Sequence, residues 1–228
     1  MPEPRVYEDE YFYWPWGKVI SYVAEWLIKE MPAGTRVLDY MCGTGFLLSV
    51  VSGKRPDLQL EGCSLDEEYV EYGRRKYQGL SLTYQDCMDY RPSAPLNTIV
   101  CTGGLHHLSR DLQPQFVRKV ASELLEGGVF IIGEEVINTF SSENERLSAV
   151  LQLGCGLMKH LIATSAPKEM LAAAVEVFAN DIQEFEFKLD MVRMYELLKR
   201  DFRIRRVVHV WPDPAEGYGD VVLICERV

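Results

Sequence analysis

Residues 37–47 read Val37-Leu38-Asp39-Tyr40-Met41-Cys42-Gly43-Thr44-Gly45-Phe46-Leu47. An apolar run ends in an aspartate, a Gly-x-Gly turn follows, and a helical pattern begins. Glycine takes up left-handed backbone without steric cost and lets a ligand approach the main chain. In an open parallel sheet the ligand crevice lies at the carboxyl ends of the strands, where the strand order reverses. A nicotinamide-binding turn needs a third glycine after two further residues, and Leu48 stands there. The surrounding chain must therefore decide what the turn holds.

Working outward, apolar runs alternate with helical patterns. Upstream, Val19, Ile20, Val23, Ala24, Leu27 and Ile28 fall on one face of a helix over 17–30, which Met31-Pro32-Ala33-Gly34 ends. Strand one is 36–39. Strand two (58–64) precedes a helix over 67–77, and a weaker strand three covers 80–84. Strand four (98–102) precedes a helix over 112–125, and Gly127-Gly128 turns the chain into strand five (129–133). This alternation implies right-handed crossovers and a parallel sheet. Residues 139–186 carry helical spacing and no strand pattern, so helices are inserted there. A helix over 189–199 and strands at 203–211 and 220–226 resume the core. Pro212-Asp213-Pro214, Gly217 and Gly219 make the last link a turn and the two strands an antiparallel hairpin. The expected fold is α/β: a Rossmann-like, seven-stranded, mostly parallel sheet with a C-terminal antiparallel hairpin and a helical insert after strand five.

Composition narrows the class. The 228 residues suit one domain of roughly 150 residues with an elaboration. The formal net charge of −10 argues against a nucleic acid or an anionic membrane surface as partner, since both need clustered Lys and Arg. The first ten residues are acidic and polar, unlike a signal peptide. No apolar run approaches the ~20 residues that span a bilayer. Six scattered cysteines without a CxxC pair read as reduced thiols of a cytoplasmic protein.

With these elements placed, the chain resembles a class I S-adenosylmethionine (SAM)-dependent methyltransferase of the small-molecule type, well over 17–138 and loosely over 187–228. Its first strand is similar to the family's Val-Leu-Asp-hydrophobic-Gly-Cys-Gly-Thr-Gly at seven of nine positions of Val37–Gly45. The resemblance implies that Asp39 meets the amino end of SAM and that Gly43 and Gly45 line its methionine and ribose portions. Gln85-Asp86-Cys87-Met88 resembles the segment that reads adenine, with Asp86 on the amino group and the Cys87 N–H on the ring. Thr102 and the Leu105-His106-His107-Leu108 stretch resemble the family's strand-four end. Two positions depart. Met41 replaces the first glycine of the signature and would crowd SAM. Ser64, followed by Leu65, stands where the family holds the ribose hydroxyls with an acid, while Asp66 falls on a helix N-cap position. A hydroxyl in place of a charge-assisted contact could weaken binding by roughly 1–3 kcal/mol.

Methyl transfer is an in-line displacement that needs positioning, sometimes with a base. His106 and Glu134 are the candidate catalytic groups; His107 and Glu135 flank them on the same rim as candidate acceptor contacts. Each also has a plainer role, in supporting the loop, capping a helix or carrying a solvated charge. Tyr11 and Tyr13 belong to an aromatic N-terminal segment that could close over the sulfonium or simply pack on the sheet edge. Met158 lies in the 139–186 insert, where the family places its acceptor-selecting cover. Thr102-Gly103-Gly104 offers no acidic cluster, so no metal is expected. The implied partners are SAM and a small-molecule acceptor. Aromatic flaps and helical inserts also pair in homodimers. Two alternatives stay open: a SAM-consuming enzyme that releases methylthioadenosine, and an inactive binding protein with this fold.

Overall fold

In a computed structural model, residues 3–212 and 216–228 are described. Seven strands form one sheet: β1 Arg36–Tyr40, β2 Gln59–Ser64, β3 Ser81–Tyr84, β4 Leu96–Thr102, β5 Leu124–Val136, β6 Phe202–Trp211 and β7 Gly219–Arg227. Their order is β3-β2-β1-β4-β5-β7-β6, with β7 antiparallel to both of its neighbours and the other pairs parallel. The order reverses between β1 and β4, which places the crevice at the glycine turn.

Alternation along the strands builds the two core layers. Val37, Val100, Ile131, Val222 and Ile224 face α2 (Trp16–Glu30) and α3 (Phe46–Ser52). Their neighbours Leu38, Ile99, Phe130 and Leu223 face the opposite side, where Phe116 of α5 (Gln113–Glu123) and Met194 of α8 (Met191–Leu198) close the layer. On the α3 side, α4 (Glu67–Lys76) packs Val70 against Leu48 and is capped by Asp66, whose Oδ1 accepts from the Tyr69 N–H at 2.9 Å.

The insert is two helices, α6 (Glu143–Ala163) and α7 (Lys168–Ile182). They form a separate apolar cluster with Trp14, Ile137, Phe140 and Trp211. Gly154-Cys155-Gly156 does not break α6. A Cβ on Gly154 would strike the Phe178 ring of α7, and one on Gly156 would lie 3.0 Å from Tyr218. These glycines are close-contact positions.

The start of β5 and the N-terminal segment differ most from the sequence expectation; other bounds shift by one or two residues. β5 begins at Leu124 instead of 129: Gly127 takes φ +69, but the pairing of Leu124 with Leu96 starts the ladder before it and the register then shifts. The N-terminal aromatic segment is a helix, α1 (Pro4–Tyr13), with Pro4 at its first position. Asp213 and Pro214 of the expected final turn lie outside the described residues; the hairpin they join is formed.

Candidate functional site

The glycine turn enters left-handed backbone at three alternate residues: Met41 (φ +58), Gly43 (φ +54) and Gly45 (φ +78). The position where the signature has glycine thus keeps glycine's conformation with a methionine in it. Such backbone costs an L-residue roughly 1 kcal/mol. The Met41 side chain turns toward β4: a Cβ on Gly104 would lie 2.9 Å from both its Cβ and Sδ.

Asp39, one residue from the end of β1, is 1 % exposed, and its Oδ1 has no hydrogen-bond partner among the described residues. Burial alone raises its pKa from 3.8 to about 8. At the end of β2 the buried Ser64 accepts from the Asp66 N–H at 3.4 Å, so Asp66 is committed to its cap while Ser64 keeps its own proton to donate. Leu65 is 62 % exposed at that edge. Asp86 accepts from the Met88 N–H at 2.8 Å, and Cys87 beside it is buried.

Helix α1 lies across this loop. A Cβ on Gly43 would sit 2.9 Å from the Tyr7 hydroxyl. Tyr7 contacts Tyr11 edge-on at 5.4 Å and Tyr69 at 4.8 Å, while Tyr11 stacks on Phe46 at 4.7 Å. The buried Glu8 accepts from the Tyr77 hydroxyl at 2.8 Å and pairs with Lys76, clamping α1 to α4. Tyr13 points elsewhere, into a surface groove with Lys18, His160 and Thr164. Met158 is half-buried in the α6–α7 cluster.

A second group of charges sits at the ends of β4 and β5. Glu134 is 2 % exposed. Its Oε1 accepts from the backbone N–H groups of Gly104 (3.1 Å) and Leu105 (2.7 Å), and its Oε2 lies 2.6 Å from His106 Nδ1. The carboxylate can only accept, so Nδ1 carries a proton, and in the neutral ring Nε2 holds the lone pair. Burial works against a charge on His106, but the Glu134 carboxylate outweighs it and holds the pKa above 6.5. His107 is exposed, its ring 4.2 Å from that of His106. Thr102 is half-buried at the last position of β4.

Lys188 and Glu186 escape sequence reading. The Lys188 ammonium is buried and meets Glu135 at 3.0 Å, Asp181 at 2.9 Å and Glu186 at 2.9 Å. Burial disfavours its charge, yet those carboxylates hold its pKa well above 10.5. Glu135 is therefore tied into an ion-pair network. Asp220 lies beside it in the β5–β7 ladder, fully buried, with an Oδ2 that has no partner among the described residues. Burial, then Glu135, raises Glu10 of α1 to about 8. The retrospective signal is the alternation Phe185-Glu186-Phe187-Lys188-Leu189-Asp190, which puts three charges on one side of an extended segment.

Comparison with known proteins agrees with this architecture. Residues 37–128 match the family model described as a methyltransferase domain. A carboxy-S-adenosyl-L-methionine synthase from Campylobacter curvus is 28 % identical over 130 residues, covering 55 % of this chain and 54 % of that protein. The chain thus spans about half the length of the curated relatives it matches. Among solved structures, the cyclopropane synthase MmaA2 from Mycobacterium tuberculosis superposes with a TM-score of 0.65 at 14 % identity, covering 92 % of this chain and 83 % of that one. The N-methyltransferase NodS from Bradyrhizobium japonicum, solved with S-adenosylhomocysteine, gives 0.61 at 10 % identity, covering 93 % and 88 %. A TehB-like SAM-dependent methyltransferase from Corynebacterium glutamicum gives 0.60 at 14 %, covering 90 % and 86 %. These structures share its fold.

Proposed function

We propose that this protein is a SAM-dependent methyltransferase acting on a small-molecule acceptor. The observation that carries the reading is Asp39: a buried carboxylate oxygen without a partner, at the strand-order reversal, behind a loop that turns left-handed three times. An orphaned buried carboxylate calls for a cation, and the α-ammonium of SAM is one. The residues present fit SAM. Asp39 would hold the amino end, the Ser64 hydroxyl and the Leu65 edge the ribose, and Asp86 and Cys87 the adenine. When bound, SAM supplies an electrophilic methyl carbon on a sulfonium.

The chain's contribution is then positioning and exclusion of water. Tyr7 and Tyr11 present ring faces and hydroxyls over the loop, which suits a cation. His106, with Nε2 unprotonated, is placed to take a proton from the acceptor. Glu134 is a positioning residue: it fixes the tautomer of His106 and pins the loop after β4. His107 and Glu135 form the rim, and α6 and α7, with Met158, cover the acceptor side. No helix among the described residues is long and apolar enough to cross a membrane. Six free cysteines, five of them buried, fit a reducing compartment such as the cytoplasm.

The test is mass spectrometry of the protein incubated with methyl-labelled SAM and a small-molecule extract of its host. S-adenosylhomocysteine with a labelled metabolite supports methyl transfer. Methylthioadenosine without a labelled metabolite overturns it. The names of the curated relatives favour one second reading, in which SAM itself is modified. That would appear as a heavier SAM-derived product and no S-adenosylhomocysteine.

A further inference from the structure

The loop after β4 supplies no carboxylate, but the fold brings two there from elsewhere: Glu134 from β5 and Glu186 from the segment before α8. Glu134 binds the protonated Nδ1 of His106 and is itself fixed by two backbone N–H groups. The ring can therefore rotate little, and its Nε2 lone pair faces Glu186 Oε2 at 3.7 Å. In the neutral ring these two acceptors have no proton between them. They are suited to something that accepts lone pairs from both. The ring of His107 stands beside them, and one donor atom each from His106, His107 and Glu186 lies within 4.8 Å of the others.

We propose that His106, His107 and Glu186 form a site for one divalent transition-metal ion. Two imidazoles and one carboxylate suit zinc, ferrous iron or cobalt, and leave coordination positions open. Metal–ligand distances of about 2.0–2.2 Å put neighbouring ligand atoms roughly 3–3.5 Å apart, so the 3.7 Å pair needs little movement. Glu134 supplies the carboxylate that orients a metal-bound histidine through its other nitrogen. The local charge also permits a dication: Glu135, Asp181 and Glu186 surround one ammonium, Lys188, and Glu134 adds a fourth carboxylate against His106. Lys188 keeps Glu135 and Asp181 as partners when Glu186 turns to the ion. His107 is exposed, so the site is open to solvent on its side. In the loaded protein the ion, in place of a bare imidazole, meets the acceptor. The site itself does not depend on the methyl-transfer reading.

The test uses the full chain, stripped with a chelator and titrated with Co²⁺ alone. The expected result is a visible d–d absorption band that saturates at one ion per chain and disappears on adding Zn²⁺. His107→Ala and Glu186→Gln should each weaken binding at least tenfold, and Glu134→Gln by about 10–100-fold through the orientation of His106. No band at millimolar Co²⁺ overturns the proposal, as does undiminished binding in His107→Ala. His107 is exposed, so that variant is expected to fold even where a change at Glu186 does not. Calorimetric binding of SAM to the same metal-free samples tests the cofactor reading separately.

Discussion

Replacing Asp39 with Asn should make the ligand-free protein more stable and its hold on SAM weaker. Asp39 is buried with an oxygen left without a partner, and burial lifts its pKa from 3.8 to about 8. The folded protein therefore binds this proton more tightly than the unfolded chain does. Stability is lost as pH rises from about 4 toward 8, the opposite of an ion-paired aspartate. About three pH units separate pH 7 from the ordinary value. At about 1.4 kcal/mol per unit this is roughly 4 kcal/mol, and local relaxation reduces it to ~2–4 kcal/mol. Asparagine keeps the shape and removes the titrating group, which is protonated in the ligand-free protein at pH 7 and ionised only against a bound cation. The melting temperature at pH 7 should rise by roughly 5–10 °C for a domain of this size, with the gain vanishing near pH 4. SAM affinity should fall more than tenfold, because its ammonium loses a charged partner. Thermal melts from pH 4 to 8 and calorimetry on the same variant check both. A melting temperature at or below wild type at pH 7–8, or unchanged SAM affinity, would refute the view that Asp39 is held ready for a cation.

Glu134→Gln should lower stability to urea by roughly 2–4 kcal/mol, since the amide keeps at most part of three buried hydrogen bonds. Because the raised pKa of His106 stabilises most below about pH 6.5 and fades as pH rises through its folded value, the deficit should be larger at pH 6 than at pH 9. Met41→Gly relieves left-handed strain of roughly 1 kcal/mol but vacates the contact at Gly104. Denaturant melts should show a net change within ~1 kcal/mol, and a loss above 2 would mean that packing dominates. Gly154→Val should cost roughly 1–3 kcal/mol by driving the Phe178 ring of α7 aside, read as a lower melting temperature with the sheet's circular dichroism intact.

Much of the frame was legible because strand and helix periods differ and the turn residues are explicit. The run from Arg36 to Ser64 marked β1, the glycine turn, the start of α3 and β2 to within a residue or two. The N-cap at Asp66 was readable because capping is local chemistry. The helical state of α1 was not, because Pro4–Tyr13 has no clean apolar face and no capping side chain; its hold comes from Glu8, Lys76 and Tyr77, 68 and 69 residues apart. The partners of His106 were hidden for the same reason. Glu134, at the edge of a known strand, could be nominated from the topology. Glu186 and Lys188 could not, because they lie in a segment without regular structure that the fold carries back to the β4 loop. The Phe187 N–H is fastened there to the His106 carbonyl at 2.7 Å.

The strand order also sets a schedule. In chain order β7 is the last of the seven strands, yet it lies inside the sheet, between β5 and β6. On a ribosome, β1 to β5 and their helices emerge first and can pair in parallel. When β6 emerges, its place beside β5 belongs to a strand not yet made. It must wait, unpaired, until β7 slots in and joins it to the rest. Until then residues 202–211 are unpaired and the outer edge of β5 is open, and both need protection from other edges. The strand that completes the sheet is translated after the other six.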